Sequence, residues 1–272
     1  MSKANRRNYI YGLIIGLFFL LTLLFSWIPI TIFAEKHRNA WLGVILQQTC
    51  GIVAVVALAN YLKIRLFSRP ECLIFLVPCL IIAIDNFPFW SYFSGNMQLV
   101  GTNPIDVLLF SLYCLCIGLF EELVFRGLLF YLLASYFSKD KKGLIKTFVC
   151  SSVIFGLAHL TNLFGGAGLP ATLLQVGYTT LTGGLFAFAF VKTKNVLFPA
   201  CIHALYNFCG LILETPQNLG LGTGIIFDMG TVIMMTIISV IIGVFILYSL
   251  AKYPENERKT LYNRLLGVNT EK

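Results

Sequence analysis

From Ile10 to Phe33 the chain carries no charged side chain, and about 20 apolar residues in a helix suffice to cross the hydrocarbon core of a bilayer. Similar runs recur, separated by short polar punctuation, at 9–33, 41–62, 72–85, 105–137, 144–163, 171–190, 196–214 and 231–251. Only 12% of the 272 residues are charged and 58% are hydrophobic, whereas a soluble domain covers itself with about 25% charged residues. Most of the outer surface must therefore face lipid. The pattern predicts an all-α, polytopic membrane helix bundle of about eight transmembrane helices. It forms one domain over 1–272, with a chemical core at approximately 105–214. The third run is short and carries Pro78, so a break or tilt is expected there. The fourth is too long for a simple crossing and should bend or extend past the membrane.

Lys3, Arg6 and Arg7 precede the first run in the manner of a secretory signal. The run outlasts the ~7–15 residues of a signal core and no small-x-small site follows, so it reads as a retained span. The other basic residues fix the orientation. With the N-terminus in the cytosol, the segments around 63–71, 138–146 and 191–195 and the C-terminal tail are cytosolic as well, and both termini lie inside. Of the 20 Lys and Arg, only Lys36 and Arg38 then fall in outer loops, and Arg126 falls inside a span. That asymmetry accounts for the net charge of +8 without a nucleic-acid partner; the lipid bilayer is the partner it implies. The aromatic segment 86–104 suits a membrane interface, and the glycines of 161–170 suit a flexible loop. The eight cysteines form no CxxC pair and no Cys/His zinc spacing, so neither a disulfide framework nor a structural zinc site is indicated.

An ionisable side chain in the middle of a bilayer costs about 2.5–3.5 kcal/mol on the insertion scale and is retained for a purpose. Glu121, Glu122 and Arg126 lie in the fourth run, His159 in the fifth and His203 in the seventh; Asp85 and Asp106 sit near run ends, where water reaches them. Glu122 and Arg126 are four apart, share a helix face and can pair, which offsets much of the cost of burying either. Glu121 is rotated about 100° away, has no local partner, and must look toward the histidines or water. His203 and Asn207 repeat the four-residue spacing and aim two hydrogen-bond donors at one point, as stabilising a developing oxyanion requires. Phe155 lies one turn before His159 and walls the same region. A carboxylate and an imidazole can share a water and remove its proton, so the set suits hydrolysis without a covalent nucleophile. Counting about 1.5 Å per residue from the cytosolic ends puts His159 roughly 20 Å deep and His203 roughly 10 Å deep.

EExxxR over 121–126, FxxxH over 155–159 and HxxxN over 203–207, each on its own helix, resemble the CAAX protease and bacteriocin-processing family, with its type II CAAX prenyl endopeptidases and lysostaphin-resistance-like members. The resemblance implies a glutamate-dependent intramembrane endopeptidase. In it, Glu121 and His159 would activate the water and His203 and Asn207 would form the oxyanion site, with Glu122 and Arg126 as a supporting pair. The substrate would be a peptide or membrane protein, possibly lipidated, and the setting a cell membrane, bacterial by the short tails. No cofactor is expected. The alternative is zinc held by Glu121, His159 and His203, although HExxH is absent. Two other classes stay open: a proton- or ion-coupled transporter, and a non-catalytic bacteriocin-immunity or membrane-binding protein.

Overall fold

The computed structural model describes residues 37–95, 98–99, 103–137, 139–165, 167–214 and 229–265; the expected span at 9–33 lies outside them. Helix α1 covers His37–Tyr61. A 3₁₀ turn, Leu73–Leu76, leads into α2, Val77–Asp85, with Pro78 in its first turn, where the missing N–H costs nothing. The proline expected to break this run therefore starts a helix. Helix α3, Phe89–Phe93, continues the same apolar stretch, which reaches Leu73–Phe93. The first aromatics of the presumed 86–104 loop thus belong to the end of a span.

The fourth run forms α4, Pro104–Glu122, a π-helical segment, Leu123–Leu129, and α5, Phe130–Tyr136. Asn103 caps α4, its side-chain oxygen accepting from the Ile105 N–H at 3.0 Å. The expected irregularity is the π segment, marked by the Phe130 N–H donating to the Phe125 carbonyl, and it begins directly after the two glutamates. Helix α6, Lys141–Ala158, is capped by Asp140, which accepts from the Gly143 N–H at 2.7 Å. It tightens into a 3₁₀ turn at His159–Gly165, where a flexible loop had been expected. Helices α7, Leu169–Thr193, α8, Leu197–Leu211, α9, Met229–Ala251, and α10, Glu255–Leu265, complete the order. Two residues of β1, Gln98–Leu99, pair antiparallel with β2, Leu213–Glu214, tying the start of α4 to the end of α8. This is a small departure from purely helical structure.

Among the described residues, five helical stretches are long and apolar enough to cross a membrane, and a sixth arises if α9 and α10, bent by 94°, are taken together. Helix α8, at 15 residues, is shorter than a full crossing. Leu46, Val53, Ile237, Ile241 and Val244 expose large apolar side chains around the bundle, a surface that lipid covers and water does not favour. The molecule is an integral membrane helix bundle.

Two tight helix pairs build its centre. In one, α4 meets α8 so closely at Gly118 that a Cβ there would lie 2.8 Å from the Ala200 carbonyl oxygen. In the other, α6 meets α7 at Gly156, where a Cβ would lie 2.8 Å from the Val176 carbonyl oxygen. Small residues allow such approach where lipid supplies no hydrophobic drive between helices. From Thr182 to Val191, α7 is buried on every face, which fits its uncharged, mostly apolar composition. A strap at 64–72 runs under the α7–α8 turn. The Val196 N–H donates to the Leu66 carbonyl at 3.2 Å, the Asn195 amide donates to the Ser68 carbonyl at 2.7 Å, and Lys194 pairs with Glu71.

Candidate active site

The polar residues meet in the seam between the two helix pairs. Glu121 and Glu122 end α4, so the widened π turn that follows decides where Arg126 points. Glu122 and Arg126 pair as their spacing predicts, Oε1 to Nη1 at 2.8 Å, with both side chains 0% exposed. Arg126 also crosses the seam: its Nη2 donates to the Gly183 carbonyl of α7 at 2.8 Å. Its guanidinium lies over the Phe155 ring, 4.3 Å from the centroid. Charge pairing, a carbonyl acceptor and an aromatic face together offset the desolvation of a cation in the bundle.

Glu122 has a second partner that its spacing with Arg126 did not reveal. Its Oε1 also lies 2.9 Å from Nδ1 of His203. Beside a guanidinium, a carboxylate here is an acceptor, so the His203 Nδ1–H donates to it. The other ring nitrogen, Nε2, faces Glu121, with Oε2 3.7 Å away, beyond direct hydrogen-bond range. Glu121 is the less buried of the two, its side chain 25% exposed against 5% for His203, although Oε2, the oxygen that faces His203, is itself buried and without a hydrogen-bond partner. Of the two membrane histidines, His203 is the one that Glu121 faces at this distance.

His159 stands at the junction of α6 and the 3₁₀ turn, half-buried. Its Nδ1 lies 3.0 Å from the Phe155 carbonyl oxygen. A carbonyl only accepts, so Nδ1 carries the proton and Nε2 keeps its lone pair. Phe155 touches both imidazoles edge-on, with centroids 5.1 Å from His159 and 5.8 Å from His203. The depth difference counted along straight helices thus does not keep the two rings apart. The reason is where α8 begins: Asn195 and Val196, 7% and 0% exposed, are covered by the strap they bond to, whereas α6 begins at exposed lysines. Asn207 follows His203 by one turn of α8 and is half-buried.

Sequence reasoning passed over α7. Gly183 supplies the carbonyl for Arg126, and a Cβ on it would lie 2.7 Å from the Phe155 ring. Phe186 stacks on His203 with centroids 4.9 Å apart and planes at 27°. The GGLF sequence at 183–186 was visible only as small residues suited to close packing. Among the described residues, no three His, Cys, Asp or Glu side chains are grouped as they would be around one metal ion. Glu121, His159 and His203 are thus not disposed here as a ligand triad.

Fold and site together define a polytopic helical membrane protein with an ionisable centre buried between two helix pairs. Residues 103–209 match the family model described as Rce1-like, type II CAAX prenyl endopeptidase, and over this core the chain is similar to that family. A curated relative, CAAX prenyl protease 2 of Arabidopsis thaliana, is 32% identical over 110 residues, 37% of this chain and 34% of the relative. The similarity spans about a third of that relative's length. No solved structure matches the chain. The matched core contains all three motifs, from Glu121 to Asn207.

Proposed function

We propose that the chain is an intramembrane endopeptidase that hydrolyses a peptide bond with a water activated by carboxylate and imidazole. The observation that carries this reading is the Glu121 Oε2, buried without a hydrogen-bond partner, opposite Nε2 of His203 at 3.7 Å, backed by the buried Glu122–Arg126 pair. A water beside that gap can donate a hydrogen to the Glu121 carboxylate. Glu121 then takes a proton as the water oxygen attacks the scissile carbonyl, and passes it to the departing amine when the carbon–nitrogen bond breaks. His159, with Nδ1 engaged by the Phe155 carbonyl, has Nε2 free to share the base role. His203 exchanges protons only at Nε2, because Glu122 holds Nδ1. In its protonated form it donates from Nε2, and with the Asn207 amide it supplies the oxyanion site.

The substrate class follows the family: a peptide or membrane-protein C-terminus, lipidated in the prenyl endopeptidases. The distribution of basic residues supports access from the cytosolic side, with both termini there. Catalysis is read as proton transfer among the chain's own residues, and zinc on Glu121, His159 and His203 is the alternative.

The test compares the membrane-protein fragments and peptides of cells expressing wild type or Glu121→Gln at matched levels. A product made only by wild type supports the protease and identifies its substrate. Identical profiles with an unchanged phenotype refute it in favour of a non-catalytic binding role. Identical profiles with a lost phenotype refute it in favour of ion relay or transport. In parallel, purified protein is incubated with a farnesylated CAAX peptide with and without a zinc chelator. Unchanged cleavage supports the metal-free reading, and loss restored by zinc overturns it.

A further inference from the structure

We propose that Phe186, outside the three motifs, is a positioning residue that holds the His203 imidazole in one orientation; its consequence for hydrolysis rests on the protease reading. Phe186 is 1% exposed in the fully buried stretch of α7. Its ring lies nearly parallel to the imidazole, at 4.9 Å and 27°, while Phe155 meets the same imidazole edge-on at 84°. Phe186 also meets Tyr206, with planes at 83°, and lies 5.7 Å from the Arg126 guanidinium carbon.

Two restraints therefore act on His203. Glu122 accepts from Nδ1 at 2.9 Å, which selects the tautomer. A hydrogen bond alone leaves the ring free to swing about the bond that bears it. Turning the imidazole out of its plane would drive an edge into the Phe186 face, so the stack closes that motion. With the plane fixed, Nε2 stays aimed at Glu121. Gly183, on the preceding turn of α7, leaves room for the edge-on Phe155 ring, which a Cβ there would meet at 2.7 Å.

The chain has only three histidines, His37, His159 and His203, which makes a direct reading feasible. The full-length protein, ¹⁵N-labelled at histidine and held in nanodiscs, is compared by NMR with Phe186→Leu and Phe186→Tyr. Leucine keeps apolar bulk and removes the flat face; tyrosine keeps the face. Wild type should show His203 as a single Nδ1–H tautomer. Phe186→Leu should let the imidazole swing off Glu122 and so move the two His203 nitrogens toward averaged shifts, and Phe186→Tyr should keep them apart. His159 is the internal control, because its Nδ1 is tied to the Phe155 backbone and an intact fold leaves its signals in place. If Phe186→Leu loses the His159 signals, Phe186→Met, which also lacks a flat face, replaces it in the comparison. A single unaveraged Nδ1–H tautomer in the variant lacking the face would overturn the proposal, even if that variant melted earlier.

Cleavage of a farnesylated CAAX peptide gives a second readout. Misaiming a reacting group by about 1 Å costs up to about a hundredfold in rate, so Phe186→Leu should lower kcat by about tenfold to a hundredfold and leave KM unchanged. A raised KM with unchanged kcat would count against positioning. Failure of wild type to cleave this peptide would count against the protease reading, while the tautomer comparison would still decide the role of Phe186.

Discussion

Glu121 and Glu122 are neighbours with opposite surroundings, and the difference assigns them different work. Glu122 is fully buried and holds both Arg126 and His203; Glu121 is less buried and faces the His203 ring. Glu121→Gln keeps size and removes the base, so folding should be normal and hydrolysis lost, as checked by thermal unfolding in detergent together with peptide cleavage. Glu122→Gln removes the charge from a buried pair and leaves a guanidinium uncompensated, a change that costs about 3–5 kcal/mol. It should unfold well below the wild-type temperature. The reverse pattern, a stable Glu122→Gln and an unstable Glu121→Gln, would show that the roles are exchanged.

At the level of elements, the site depends on two helix contacts that place no functional group themselves. Gly118 lets α4 approach the backbone of α8 near Ala200 and Ala204, and Gly156 lets α6 approach α7 at Val176. The obstacles are main-chain atoms, which cannot rotate away as a side chain tip can. Gly118→Leu should cost about 1–3 kcal/mol by overpacking, measured by thermal unfolding. It should also separate Glu121 from His203 and lower cleavage beyond what stability explains. The π segment at Leu123–Leu129 is the second such device. Widened turns of this kind recur at functional sites, and here the turn carries Arg126 across the seam to Gly183.

For the whole molecule, the bundle presents apolar side chains outward and keeps Glu122, Arg126 and His203 buried in the seam. The strap at 64–72 lies under the α7–α8 turn, on the side that the basic residues mark as cytosolic. Cys72, exposed beside the strap, reports on that assignment. In a variant retaining only this cysteine, a membrane-impermeant maleimide should label inverted vesicles and spare intact cells. Labelling of intact cells would reverse the orientation and place access to the site on the other side.

Much of this was legible in the chain. Run length and the scarcity of charge determined a helical membrane bundle, because lipid leaves the backbone few other ways to satisfy its hydrogen bonds. Four-residue spacing was enough to pair Glu122 with Arg126, since that contact lies within one element. The three motifs carried a resemblance that the match over 103–209 bears out. The contacts made between elements were decided by the tertiary structure. No spacing along α4 or α8 encodes that Glu122 also holds His203, and nothing in GGLF says that Phe186 will lie against an imidazole. The depth of His203 was equally hidden, because it depends on how far the strap buries the start of α8. A sequence period reports which side chains share a face of one helix; which face meets which neighbour, and at what height, is fixed only when the helices pack.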